Sequence, residues 1–297
     1  MIREITAKSM LHYHERTFST NWDANIYRGC EHNCRYCFAQ YSHRYLETEN
    51  SLETSFFKDI FVKTNASQIL AEEFGKRKWK KLPVNVCGIS DCYQPAEAKY
   101  KIMPSVFNSF IMHKNPLVIV TKSTLVLRDI ELIKELNKVT DVLVIISVST
   151  LNEKKRKLLE PNAASTIERL KMLREFKNIG CNTSVLLMPI IPFLTDDQEN
   201  LDEIFRITKE YDLGSIEAWP LHLHGKSKGV FYSFLQKHYP ELLSKYRLLY
   251  NKGSVSKEYH ADLQNRIREL KKKYSLFSSY KPTKPKTEEW VQPILFD

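Results

Sequence analysis

The sequence predicts an α/β protein built from parallel β/α units that close into a barrel or partial barrel, followed by a helical extension. Three observations predict it. Candidate strands and helices alternate six times between residues 25 and 219, the pattern of crossover connections and a parallel sheet. The segment 142–148, Val-Leu-Val-Ile-Ile-Ser-Val, is apolar at nearly every position, as a strand covered on both faces must be. Beyond Leu221 the alternation stops, and basic amphipathic patterns take over.

Taken in order, residues 1–24 are polar and aromatic and form an arm, with His12, Tyr13, His14, Phe18 and Trp22 packed on the body. A short strand at 25–27 runs into a cysteine-rich loop, and a helix follows from about Ala39. A polar linker at 47–55 leads to a strand at 59–63, and Asn65 begins a helix over 65–74. Pro83 starts a strand over 84–89, ending in Ser90-Asp91-Cys92-Tyr93-Gln94-Pro95. Then come helix 102–113, strand 117–120, amphipathic helix 127–137 and strand 142–148. Helix 166–178, strand 183–188, helix 198–211 and a short strand at 216–219 complete the alternation. The chain thus divides into an arm (1–24), a barrel (25–220), a helical region (221–277) and a tail (278–297). The helical region carries two basic helices, 228–249 and 257–274, suited to covering an open side of the barrel, and the Pro- and Lys-containing tail is flexible.

The 297 residues, 42% hydrophobic and 27% charged, suffice for one large α/β domain with an appendage. No apolar run approaches the roughly 18 residues that span a bilayer. The N-terminus lacks a basic region followed by an apolar stretch, so a cytoplasmic location is expected. Six cysteines, three of them in one motif, fit a reducing compartment better than a disulfide framework. Lysine and arginine outnumber the acids 45 to 35, a net charge of +10. Such an excess favours a polyanionic partner through phosphate contacts.

Chemistry is concentrated in Asn25–Gln40, N-I-Y-R-G-C-E-H-N-C-R-Y-C-F-A-Q. Cys30, Cys34 and Cys37 are spaced C-x3-C-x2-C, and the loop begins at a strand end, where parallel α/β folds gather their chemistry. Thiolates suit iron, and cubane clusters are normally held by four of them. Three close cysteines therefore suggest a cluster with one iron open to a substrate or cofactor. A structural zinc site completed by His32 or His43 is the alternative. Zinc motifs usually pair their ligands with a second distant pair, and this sequence has no such pair.

This spacing resembles the signature of the radical S-adenosylmethionine superfamily. The resemblance implies a partial (β/α)6 barrel, a [4Fe–4S] cluster on Cys30, Cys34 and Cys37, and S-adenosylmethionine chelated at the open iron. The cluster's electron would cleave the cofactor, and the adenosyl radical would take hydrogen from a substrate. Four further segments are similar to the spore photoproduct lyase-like branch. They are Tyr27-Arg28-Gly29-Cys30, Ser90-Asp91-Cys92-Tyr93-Gln94-Pro95-Ala96-Glu97, Leu159-Glu160-Pro161-Asn162, and the run from Met188 to Asp196. Carried over by position, Lys122 and Ser147 are expected to contact the cofactor's methionyl end, with Ser149 as neighbour. Tyr36 and Phe38 flank Cys37 and are placed with the cofactor. Asp91 and Glu97 either bind cofactor or substrate or cap the following helix. Glu160 either joins them or pairs with Arg169.

The branch's lyase has a tyrosine after the third cluster cysteine, thought to relay the radical, where this chain has Phe38. It also uses a cysteine as hydrogen donor. Cys92, at a strand end, is the candidate here, with Cys87, inside the strand, behind it, and both compete with a simple core role. Cys181 is read as structural. The ending Gln292-Pro293-Ile294-Leu295-Phe296-Asp297 resembles a peptide that docks on the sliding clamp, unless Ile294 to Phe296 pack on the chain's own surface. The resulting expectation is a monomeric enzyme, served by a reductase as electron donor, that acts on damaged or modified nucleic acid, DNA ahead of RNA. Radical modification of a protein, peptide or RNA is the second expectation, and a non-catalytic iron–sulfur sensor or DNA-binding protein the third.

Overall fold

A computed structural model describes residues 1–15, 20–46 and 55–277. Phe18, the linker at 47–54 and the tail with its Gln292–Phe296 peptide lie outside the described residues. The elements are β1 (Ile2–Ile5), β2 (Leu11–Tyr13), β3 (Trp22–Ala24), β4 (Tyr27–Arg28), β5 (Ile60–Lys63), α1 (Ala66–Gly75), β6 (Val84–Asn85), α2 (Pro95–Tyr100) and α3 (Ile102–His113). They continue with β7 (Leu117–Thr121), α4 (Ile130–Val139), β8 (Val142–Val148), α5 (Glu153–Leu159), α6 (Thr166–Asn178), β9 (Asn182–Ile190), α7 (Gln198–Glu210) and β10 (Ser215–Pro220). Last come α8 (Gly225–His238), α9 (Leu243–Leu249), β11 (Tyr250–Asn251), β12 (Ser254–Val255) and α10 (Lys257–Lys273).

The main sheet runs β10-β9-β8-β7-β6-β3-β2. Six of its strands are parallel, and β2 pairs antiparallel at one edge. The edges β2 and β10 do not pair with each other, so this is an open, partial barrel. All seven residues of β8, at its centre, are buried. The outer face packs on the helices through Phe107, Phe110, Leu136, Leu170, Phe176 and Phe205. The inner face carries a smaller apolar layer of Val118, Leu143, Ile145 and Leu186. Side chains alternate along each strand, so Ser147, two residues beyond Ile145, continues that inner face. Local signals place the helices. Ser165 and Glu168 form a capping box at α6, and Asp197 and Ser256 cap α7 and α10.

Three expectations are corrected. The strands expected at 25–27 and 59–63 are not in the barrel: β4 and β5 pair in a separate three-stranded sheet with β1, and β3 from the expected arm joins the main sheet instead. Ile2–Ile5 is largely exposed, so its pairing left no apolar trace in the sequence. The strand expected over 84–89 is regular only at Val84–Asn85. The helix expected over 228–249 breaks at Tyr239–Pro240, because proline offers no N–H and disfavours helical geometry at the residue before it.

Candidate functional site

The cysteine loop leaves β4 through Gly29, whose φ is +84° and whose Cα lies so close to the Asp59 carbonyl that a side chain would collide with it. The Cys30 amide donates to Phe56 O at 2.9 Å. Asn33 takes a left-handed turn, φ +57°, which asparagine tolerates. The Arg35 amide donates to Leu159 O, 2.9 Å, and that of Cys37 to Cys34 O, 3.2 Å. From Phe38 the chain continues as a 3-10 helix to Leu46 rather than the expected α-helix.

The other quoted segments close on this loop. Ser90 Oγ donates to Tyr27 O, 2.7 Å, and the Gln94 amide bridges Gly29 O and the Glu31 N–H. Asn162 donates to Glu31 O at 2.7 Å. His32, almost fully buried, has Nδ1 3.2 Å from Asn162 O and Nε2 3.0 Å from Asp91 Oδ2. Asp91 also accepts from Thr121 Oγ1 and from the amides of Tyr93 and Lys122. Burial opposes ionisation of Asp91, but His32 and these donors outweigh it and hold the carboxyl down at about 2. Its oxygens are thus occupied in binding loops together. Glu97 accepts from Tyr27 Oη and from the Ile102 and Met103 amides, so it takes the capping role, at the start of α3.

Cys34 feels the charge of both Cys30 and Cys37, and Cys30 that of Cys37. Burial pushes Cys30 up to about 12 and raises Cys34 and Cys37 as well. Opposing it, the amides of Asp91 and His32 are aimed at Cys30, those of Ala39 and Gln40 at Cys37, and Lys122 lends positive charge to Cys34 and Cys37. Desolvated sulfurs surrounded by N–H donors are suited to a metal cluster that supplies the missing cationic charge. No fourth thiol joins them among the described residues. Cys181 is buried in the outer core, and Cys87 and Cys92 are joined as a disulfide with Cα atoms 5.4 Å apart. The turn 88–91 brings the two residues within disulfide reach. In this state neither sulfur carries a hydrogen, so a donor role for Cys92 or Cys87 requires the reduced pair. Ligand atoms of Cys87, Asp91 and Cys92 lie within 4.8 Å of one another. With the carboxylate spent and the sulfurs bonded, they do not form a free ligand set.

Lys122 and Ser147 stand side by side, since β7 and β8 pair Thr121 with Ile146. Lys122 is half-buried, its Nζ donating to Ser147 Oγ at 2.8 Å and lying 5.9 Å from the Tyr36 ring centre. Ser147 Oγ in turn donates to Met188 O, 2.7 Å. Ser149 is buried, its Oγ 3.4 Å from Glu160 Oε1. Glu160 pairs with Arg169, both at 0% exposure, and accepts from Tyr36 Oη. Phe38 is 56% exposed and approaches Tyr41. The C-terminal helices pack over the loop: Phe231, Leu235 and Tyr246 share one apolar cluster with Cys34 and Tyr36. The sequence reading assigned no role to the Tyr36 hydroxyl, and it considered His32 only as a metal ligand. Their partners at 91 and 160 lie far along the chain, although both segments were already singled out.

The sequence profile of the Radical SAM superfamily matches residues 24–205. An uncharacterized protein of Mycobacterium tuberculosis is 32% identical, covering 92% of this chain and 80% of its own. One of Methanocaldococcus jannaschii is 26% identical, covering 82% and 85%. Among solved structures, spore photoproduct lyase complexed with dinucleoside spore photoproduct matches with TM-score 0.68 and 16% identity, over 92% of this chain and 79% of that one. SuiB of Streptococcus suis bound to S-adenosylmethionine matches with TM-score 0.51 and 13% identity, over 84% and 46%.

Proposed function

Because the chain belongs to the radical SAM superfamily, we propose that it is an enzyme that reductively cleaves S-adenosylmethionine and acts on damaged or modified nucleic acid, DNA ahead of RNA. Cys30, Cys34 and Cys37 would hold the [4Fe–4S] cluster, which supplies the electron for cofactor cleavage when bound. Lys122 offers an ammonium to the cofactor's carboxylate, and Ser147, whose hydroxyl donates to Met188 O, holds that ammonium in place. Two cations, Lys122 and Arg169, face one buried anion, Glu160. The surplus positive charge suits a further carboxylate there. The packed loops and the helices α8 and α9 bury Cys34 and leave Cys37 partly exposed.

One observation carries the nucleic-acid reading. The likeness to a structure complexed with dinucleoside spore photoproduct extends over 92% of the chain, beyond the superfamily span and into the C-terminal helices. The net charge of +10 is consistent with a polyanionic substrate. Phe38 has no O–H to give, so hydrogen return in this chain needs another donor, and the Cys87–Cys92 pair in its reduced form is the proposed one.

The test is 5′-deoxyadenosine release by the anaerobically reconstituted, reduced protein, with and without ultraviolet-damaged DNA. Higher yield with damaged DNA and reappearance of native thymine support the reading. Slow release indifferent to DNA moves the substrate to RNA or a peptide. No release from a protein with an intact cluster ends the catalytic reading.

A further inference from the structure

Five side chains close a circuit around the cofactor end of the site. Lys122 Nζ donates to Ser147 Oγ, 2.8 Å, and the Ser147 carbonyl accepts from Arg169 Nη1, 2.6 Å. Arg169 Nη2 pairs with Glu160 Oε2, and Tyr36 Oη donates to Glu160 Oε1. The Tyr36 ring then lies under Lys122 Nζ at 5.9 Å, which closes the ring of contacts. It joins the cysteine loop, the ends of β7 and β8, the turn after α5, and α6.

Glu160 and Arg169 are fully buried. Burying such a pair costs several kcal/mol per ion, and apolar residues of similar volume commonly stabilise as well or better. Stability is therefore a poor account of the pair, whereas fixed orientation is what a buried, fully bonded network supplies. Arg169 is held at four of its five N–H groups, since its Nε and Nη2 also donate to Ala164 O. Glu160 ionises despite its burial, because Arg169, Lys122 and the Tyr36 hydroxyl outweigh desolvation.

We propose that Glu160 and Arg169 are positioning residues for S-adenosylmethionine: through Tyr36 and Ser147 they fix Lys122 where it receives the cofactor's carboxylate. This rests on the cofactor reading of Lys122 and not on the identity of the substrate. Removing the Tyr36–Glu160 bond frees the ring under Lys122 while leaving all three cysteines in place. The expected loss is in cofactor affinity, not in cluster content.

The test uses reconstituted full-length protein with Tyr36→Phe, Glu160→Gln and the double substitution. Iron and sulfide per chain and the thermal midpoint report the cluster and the fold. The change in the reduced cluster's electron paramagnetic resonance signal, titrated with S-adenosylmethionine, reports cofactor binding. Each single variant is expected to keep its iron and sulfide and to need about tenfold more cofactor for half-conversion, the size of one charge-assisted hydrogen bond. The double variant is expected to lose little beyond the larger single effect, because both changes cut the same contact. Unchanged half-conversion in both single variants overturns the proposal, as does loss of iron in proportion to loss of binding. Should Glu160→Gln fail to fold, Tyr36→Phe, which removes one hydroxyl, decides alone. A wild-type signal indifferent to S-adenosylmethionine overturns the cofactor reading itself.

Discussion

His32 Nε2 meets Asp91 Oδ2 at 3.0 Å, both side chains more than nine-tenths buried, two residues after the first cysteine of the loop. The pair ties the cysteine loop to the turn after β6, and the same carboxylate reaches Thr121 and the Lys122 amide beyond. Asp91→Asn should weaken the hydrogen bonds that His32, Thr121 and two backbone amides give this buried carboxylate and cost about 2 kcal/mol, the size of a charge-assisted hydrogen bond. Thermal unfolding of the variant checks this, and an unchanged midpoint would show that the contact carries no stability.

Cys34→Ala should remove most of the iron and sulfide from the reconstituted protein, since three thiolates leave no spare ligand. Chemical iron and sulfide determination is the measurement. Full retention would sink the cluster assignment.

His43 follows the cysteines in the 3-10 helix, is 1% exposed, and has no hydrogen-bond partner for either ring nitrogen among the described residues. Burial first, then the charge of Arg28, holds it down at about 4, against an ordinary 6.5. The unfolded chain therefore takes up a proton that the folded chain refuses. Stability from this residue is complete above 6.5 and falls as pH drops toward 4, by up to about 3 kcal/mol at about 1.4 kcal/mol per pH unit. His43→Phe should flatten the acid limb of urea midpoint against pH. An identical slope in the variant would refute the assignment.

Lys63 ends β5 and is 7% exposed. Burial, then Arg28, lowers its ammonium to about 8 from an ordinary 10.5. Its folded value is depressed, so its contribution is complete above 10.5 and falls as pH drops to 8. Below pH 8 the fold carries the full cost of a buried ammonium, up to about 3 kcal/mol by the same conversion. Lys63→Met should raise the thermal midpoint at pH 7 and lose that advantage near pH 10.5. A variant no more stable than wild type at pH 7 would contradict this.

Much of the site was legible because its chemistry is local. Cys30, Cys34 and Cys37 lie within eight positions, and β8 and α6 have the predicted bounds, Val142–Val148 and Thr166–Asn178. The alternative roles left open for Glu97 and Glu160 were decided by one distant and one nearby partner each: Tyr27 and the start of α3 for the first, Tyr36 and Arg169 for the second. Where an element is exposed or short, as with β1 and β6, pairing rather than pattern makes the strand.

By itself the sequence determined the fold class and the family, and it singled out three cysteines as the proposed cluster ligands, because apolar periodicity and ligand spacing are written in consecutive residues. Only the tertiary structure decided that β5 leaves the barrel, that Cys87 is bonded to Cys92, and that Asp91 binds loops together. It also decided that Lys122 stands in a closed circuit with Arg169. Those outcomes depend on which distant groups can meet once the core has excluded water. A buried carboxylate or ammonium must then take whatever partner the packing brings within reach.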